Sequence, residues 1–137
     1  MNENKTRVAV VDDDDSFSRA IGRLLRAAGF EPLVYSSAEA FLQDTTHASA
    51  DCLVLDIHMG DMSGLDLRRH LTGLGRTTPV IFVTAHDEPK IREEAQQVGC
   101  SAYLCKPVPG KLLLEAITKA VNPGCRKSQN QAAHKPG

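Results

Sequence analysis

Asp51-Cys52-Leu53-Val54-Leu55-Asp56 sets four apolar residues in an unbroken row between two carboxylates. A row this short and this uniformly apolar fits a central parallel strand, because helices packed on both faces leave no solvated side for alternating polar residues. Working outward, the same kind of run alternates with helical patterns along the chain. Arg7 to Val11 (RVAVV) precedes a segment from about Ser16 to Ala28 in which Phe17, Ala20, Ile21, Leu24, Leu25 and Ala28 recur at helical spacing, with Gly29 as its stop. Glu31 to Tyr35 reads as a weaker strand, and Ser36 or Ser37 is placed to cap a short helix carrying Ala40, Phe41 and Leu42. After the loop His58 to Ser63, Leu65, Leu67 and Leu71 support a third helix, which Gly73 and Gly75 break. Pro79 to Val83 is a fourth strand, about Glu88 to Val98 a helix ending at Gly99, Ser101 to Leu104 a fifth strand, and Pro109 to Val121 a last helix. Five strand–helix repeats predict an α/β fold built on a five-stranded parallel sheet with crossover helices.

The composition is that of an ordinary globular domain: of 137 residues, 42% are hydrophobic and 24% charged, which argues against the disordered, fibrous and membrane classes. The 16 basic and 17 acidic residues leave a net charge of -1, so there is no global electrostatic reason to bind nucleic acid or a membrane, and any important charge is local. No apolar run reaches the roughly 18 residues of a membrane span, and the opening MNENKTR lacks the apolar centre of a signal peptide, so a cytoplasmic location is expected. The 4 cysteines form no C-x-x-C pair; Cys52, Cys100 and Cys105, in or beside apolar runs, are expected to be packing residues. One domain over residues 1–121 is expected. From Asn122 to Gly137 there is almost nothing to bury, and that stretch reads as a flexible tail.

In an open parallel sheet, ligands bind beyond the carboxyl ends of the strands, so the residues at those ends carry the functional reading. Asp12 and Asp13 end the first strand, Asp56 the third and Thr84 the fourth, and Lys106 follows the fifth. Two carboxylates about 4 Å apart repel by roughly 4 kcal/mol at an effective dielectric near 20, so the cluster calls for a cation. Magnesium suits it, since it prefers a few oxygen ligands and readily shares a phosphate. A carboxylate can act as the nucleophile that forms an acyl phosphate, with Lys106 and the metal neutralising the phosphoryl oxygens and Thr84 donating a hydrogen bond. Each residue has a plainer role open to it. The Asp12 to Asp15 run is suited to a helix N-terminus, Asp56 to a loop cap, Thr84 to a strand end and Lys106 to the surface. Their joint placement is what favours a site.

The motifs VVDDDDSF at Val10 to Phe17, LVLDIHMGDMSGLDL at Leu53 to Leu67, VTA at Val83 to Ala85 and YLCKPV at Tyr103 to Val108, in this order and spacing, resemble the receiver domain of bacterial response regulators over about residues 6 to 121. The resemblance implies a doubly wound, flavodoxin-like sheet of order 2-1-3-4-5, the arrangement known from chemotaxis receivers. It implies that Asp56 is the phosphoacceptor and catalyses only its own phosphorylation and dephosphorylation. By the same token Asp13 binds magnesium directly, Asp12 does so through water, and the backbone carbonyl of His58 completes the set. Thr84 and Lys106 would contact the phosphoryl group, Tyr103 would be the aromatic switch partner of Thr84, and the Lys106-Pro107 bond would be cis. Two departures stand out. Gly60 replaces the usual proline, loosening the loop after Asp56, and His58 and His86 occupy pocket-mouth positions that modulate phosphoryl lifetime.

A signalling switch is therefore expected, with a sensor histidine kinase or phosphotransfer protein as donor and an effector protein or domain as target. The switching surface would be formed by helix four, strand five and helix five, and dimerisation through that face is compatible with the sequence. Two alternatives remain open at this point. One is a magnesium-dependent phosphohydrolase, for which the sequence offers no cap domain and no second acid at His58. The other is a docking module that has kept the fold without the phosphoryl chemistry. A stand-alone regulator and the receiver part of a longer one, such as a transcription regulator, are equally compatible with the sequence.

Overall fold

The computed structural model describes residues 5–44 and 49–122. The elements are β1 (Arg7–Val11), α1 (Asp15–Ala27), β2 (Glu31–Tyr35), α2 (Ala38–Gln43), β3 (Cys52–Asp56), α3 (Gly64–Gly73), β4 (Val80–Thr84), α4 (Pro89–Val98), β5 (Ala102–Cys105) and α5 (Gly110–Val121). All four pairings are parallel and the strand order is β2-β1-β3-β4-β5, as the resemblance implied. The expected tail of 122–137 lies outside the described residues, Asn122 apart.

Side chains alternate across the sheet and fill two cores. Ala9, Val11, Leu53, Leu55 and Phe82 point to the layer of α2, α3 and α4, where they meet Phe41, Leu65, Leu67, Leu71 and Ala95. Val8, Val10, Cys52, Val54, Ile81 and Val83 point the other way, onto Ile21 and Leu25 of α1 and Leu113, Ile117 and Ala120 of α5. The central strands β3 and β4 are buried along their whole length, which is why their sequences show no polar alternation. Full burial of such side chains stabilises the fold by about 1.5–3 kcal/mol each.

The starts of α1, α2 and α3 are fixed by short polar side chains that satisfy otherwise unpaired backbone N–H groups. Asp14 accepts from Phe17 N at 3.2 Å, Ser37 from Ala40 N at 3.0 Å, and Ser63 from Asp66 N at 3.0 Å, the last with the reciprocal bond from Ser63 N to the Asp66 carboxylate. Of the two serines offered as the cap of α2, Ser37 takes the role.

Three details differ from the sequence reading. Gly73 does not break α3 but ends inside it; the chain turns at Gly75, whose φ of 82° lies in the left-handed region that a glycine tolerates. Strands β3, β4 and β5 each end one residue beyond the apolar runs read from the sequence, β4 and β5 also starting one residue later, and Asp56 and Thr84 are the last residues of their strands, as expected. Cys105 is exposed rather than packed, because it ends the edge strand where no helix covers it; Cys52 is buried and Cys100 half-buried.

Gly64, the first residue of α3, touches the site's own backbone. A Cβ there would fall inside the van der Waals shell of the Asp56 carbonyl oxygen, 3.0 Å from the Asp56 carbonyl carbon and 3.2 Å from Ile57 Cα. Gly64→Ala must therefore push α3 away from β3, and overpacking of this kind costs about 1–3 kcal/mol. A urea titration should show the midpoint falling accordingly, whereas Gly73→Ala, which meets nothing within 4 Å, should leave it unchanged or raise it.

Candidate functional site

The parallel register brings the strand ends level. Val11 pairs with Leu55, Asp56 with Val83 and Thr84 with Cys105, so Asp12, Asp56, Thr84 and Lys106 emerge on one edge of the sheet. Asp12 (1% exposed), Asp56 (4%) and Thr84 (0%) are three of the four buried polar or charged residues among those described.

Asp12 is held by its neighbours. Its backbone N–H donates to Tyr35 O at 3.1 Å, and its Oδ1 accepts from Asp14 N at 2.9 Å. Its Oδ2 is buried and has no partner with hydrogen-bond geometry, although the Lys106 ammonium stands 2.9 Å away as an ion contact. Lys106 Nζ is also 3.9 Å from Asp56 Oδ2. Asp56 Oδ1 accepts the His58 N–H at 3.3 Å. One carboxylate oxygen each from Asp12, Asp13 and Asp56 falls within a mutual 4.8 Å, with Asp13 on the solvent side. Burial, reinforced by the charge of Asp12, pushes the Asp56 carboxyl up to about 7; Lys106 and the His58 N–H offset only part of that rise.

This donor set fits a small hard cation. It offers oxygen ligands only, an excess of negative charge over the single nearby ammonium, and a buried Asp12 oxygen that has the Lys106 ammonium as an ion contact but no aligned hydrogen bond.

Thr84 arrives at the same edge with its hydroxyl engaged elsewhere. Oγ1 accepts from His86 N at 3.0 Å and donates to His86 O at 3.2 Å. The His86 ring stands edge-to-face against His58, with centroids 5.4 Å apart, so both imidazoles named from the sequence meet at the pocket mouth. Tyr103 is turned away from the carboxylates. Its hydroxyl donates to Asp87 Oδ1 at 3.1 Å, Arg92 lies over its ring at 4.8 Å, and Arg92 Nη2 is 2.6 Å from Asp87 Oδ2. Partial burial and the Asp87 carboxylate push the Tyr103 hydroxyl up to about 12, while the hydrogen bond from Arg92 holds Asp87 below the usual carboxylate range. The Lys106-Pro107 bond is cis, as the resemblance implied.

Three residues of this arrangement were not singled out from the sequence. Phe17 appeared there as a core position of α1, yet its ring lies 4.5 Å beneath the Lys106 ammonium, a cation–π contact that seats the lysine over the carboxylates. Asp87 and Arg92 tie Tyr103 to the start of α4, and nothing in their local sequence marks them.

Comparison with known proteins gives one consistent answer. The response regulator receiver domain family matches residues 8–118. Response regulator protein TmoT of Ectopseudomonas mendocina is 35% identical over 130 residues, covering 95% of this chain and 59% of the relative. Transcriptional regulatory protein FixJ of Rhizobium meliloti is 34% identical over 113 residues, covering 82% and 55%. The chain thus spans somewhat over half the length of these curated relatives. The solved structure of a response regulator receiver protein from Burkholderia phymatum superposes with a TM-score of 0.76 at 40% identity, covering 86% of this chain and 96% of that one. Fold, motif order and relatives agree, and the chain belongs to the response regulator receiver domain family.

Proposed function

We propose that Asp56 is the residue that accepts the phosphoryl group in this receiver. The observation that carries the reading is the position of its carboxylate: nearly buried, flanked by Asp12 and Asp13, and faced by the Lys106 ammonium. An Asp56 oxygen attacks the phosphorus of a phosphohistidine on a sensor histidine kinase or phosphotransfer protein, the new O–P bond forms as the N–P bond breaks, and the imidazole departs. Magnesium would be held by Asp13 and Asp56 directly, by Asp12 through water and by the His58 carbonyl, and when bound it supplies neutralising charge to the phosphoryl oxygens. Lys106, held in place by Phe17, pairs with another of those oxygens. The domain is a signalling element and not a turnover enzyme on external substrates; slow hydrolysis of its own acyl phosphate, under the influence of His58 and His86, ends the signal.

The switch follows from what Thr84 gives up. Donation to a phosphoryl oxygen requires its hydroxyl proton to leave the His86 carbonyl; as Thr84 turns, the His86 N–H bonded to it draws the β4–α4 loop inward and loosens the Asp87 and Arg92 contacts on Tyr103. Phosphorylation shifts this equilibrium only by its differential affinity for the two arrangements. The surface of α4, β5 and α5 then changes its fit to an effector protein or domain, or to a second copy of the chain. Relatives named as transcriptional regulators make a DNA-binding effector a reasonable downstream element, with no nucleic acid contacted by this domain itself. No described helix is long and apolar enough to cross a membrane; a cytoplasmic location for the domain, residues 1–121, is part of the same proposal, since that is where a sensor kinase would deliver the phosphoryl group.

Three measurements check the reading. Intact-mass spectrometry after incubation with acetyl phosphate or phosphoramidate should show one added phosphoryl mass that requires magnesium, is absent in Asp56→Asn, and is reduced by at least about tenfold in Lys106→Ala, the scale of one lost charge-assisted contact. An unmodified wild type under every donor would instead favour a docking role.

The second measurement uses the raised Asp56 carboxyl. Its folded value of about 7 exceeds the unfolded value near 3.9. Between those limits folding takes up a proton, so this group's contribution to stability falls as pH rises and levels off above about 7. Without divalent cations, Asp56→Asn should melt above wild type at pH 8 by about 3 °C, equivalent to roughly 1 kcal/mol after solvent screening. The gap should close as pH falls toward 4. In the third, ultraviolet titration should place the Tyr103 hydroxyl near 12 in wild type and lower in Asp87→Ala, which removes the acceptor that favours the protonated phenol.

A further inference from the structure

On the side of α1 facing β2, Arg19, Gly22, Arg23 and Arg26 form one stripe at helical spacing, and with Ser18 and Val34 they line a groove of about 280 Å³. All three arginines are exposed, and no described residue forms an ion pair with any of them. Asp15, four residues before Arg19, is the one acid on α1; Ser16 to Phe30 contains neither Asp nor Glu, so Arg23 and Arg26 have no acid at helical spacing, and the nearby Glu31 is engaged by Arg7 at 3.4 Å. Like charges at these spacings weaken a helix. Arg26 is favoured in the last turn by the helix dipole, but Arg19 and Arg23 sit mid-helix and gain nothing from it.

The floor of the groove is apolar and equally unexplained by the fold. Val34 on the edge strand β2 is 48% exposed, one of only three large hydrophobics so exposed among the described residues. Gly22 is buried in the middle of α1, a place where glycine is the poorest choice after proline. A Cβ at that position would meet nothing closer than Val34 Cγ2 at 3.9 Å and Arg26 Nη1 at 4.0 Å, so packing does not demand the glycine. Its effect is to keep the groove deep.

We propose that this α1–β2 face docks an acidic segment of a partner protein, with carboxylates on Arg19, Arg23 and Arg26 and one apolar side chain seated over Gly22 against Val34. Charge complementarity sets the sign of the partner. The apolar floor selects protein over a nucleic-acid backbone, which would pair with the arginines but leave Val34 uncovered. Arg26 lies about 16 Å along the helix from Asp15, so a segment on the stripe leaves the carboxylate edge accessible, and docking and phosphoryl transfer can occur on the same molecule.

The test is a ¹⁵N NMR titration of the full chain with a synthetic helical peptide bearing glutamates at i, i+3, i+4 and i+7 around one leucine, beside a control with glutamine in their place. Saturable shifts confined to Arg19 through Arg26 and Val34 are expected, weakening about tenfold on Arg19→Glu/Arg23→Glu and on raising the salt, as for desolvated charge pairs. Gly22→Ala, which fills the floor while improving helix propensity, should raise Tm yet weaken the peptide about threefold or more. Asp56→Asn should bind like wild type, which separates this surface from the phosphoacceptor reading. Equal binding of the glutamine control, shifts located elsewhere, or insensitivity to the charge reversal overturns the proposal. So does a duplex DNA that displaces the peptide, or self-association through the same residues.

Discussion

The contact between Lys106 and the buried carboxylates is the constraint on which the remaining architecture depends. Asp12 and Asp56 lie almost wholly out of water, where like charges repel far more strongly than at the surface. Lys106 Nζ, 2.9 Å from one and 3.9 Å from the other, is the only cation placed against them by the described residues. The sheet order follows the same need, because the strands carrying Asp12 and Asp56 are adjacent while the one delivering Lys106 stands at the edge, close enough to reach over but not inserted between them. The balance is incomplete. A raised Asp56 carboxyl, in a cluster of three carboxylates served by one ammonium, is the residual imbalance of a site with more negative charge than the chain's own cations offset.

Much of this was legible in the sequence for one physical reason: a charged or hydroxyl residue ending a wholly apolar strand has to be stabilised by something other than the core. Asp12, Asp56 and Thr84 announce themselves that way, and the two-faced burial of β3 is written in CLVL. What could not be read depends on side-chain direction between elements distant in sequence. Asp87 and Tyr103 are 16 residues apart and meet only because α4 begins over the end of β5. Phe17 has the spacing of a core residue and a ring that faces an ammonium. Cys105 looked like a strand residue and is one, but the strand is at the edge and ends there, so its thiol is uncovered. Strand ends moved by one residue for a related reason, since ladder hydrogen bonds continue into the first polar position.

The loop between β4 and α4 links two parts of the molecule through short contacts. At one end Thr84 is bonded to the His86 backbone; at the other, Asp87 holds the Tyr103 hydroxyl and the Arg92 guanidinium. The four residues from Thr84 to Asp87 thus span the distance from a buried strand end to the solvent side of β5. Interactions at this exposed end are individually modest, so a small change in energy is enough to rearrange it. On the neighbouring side, α3 and α4 are joined by Arg69 and Glu94, so movement of the start of α4 is resisted near its middle.

The distribution of the site over the chain has a consequence for its birth. Its members come from four different strand ends, and Lys106 is the last of them to be synthesised. A nascent chain therefore carries Asp12, Asp13 and Asp56 before Lys106 exists; the pairing of β1 with β3 sets the carboxylates side by side, and the lysine reaches them only when β5 joins the sheet beside β4. An intermediate lacking β5 has the carboxylates but neither the lysine nor the closed edge, so the full set of residues at this edge is assembled with the final strand and not before it.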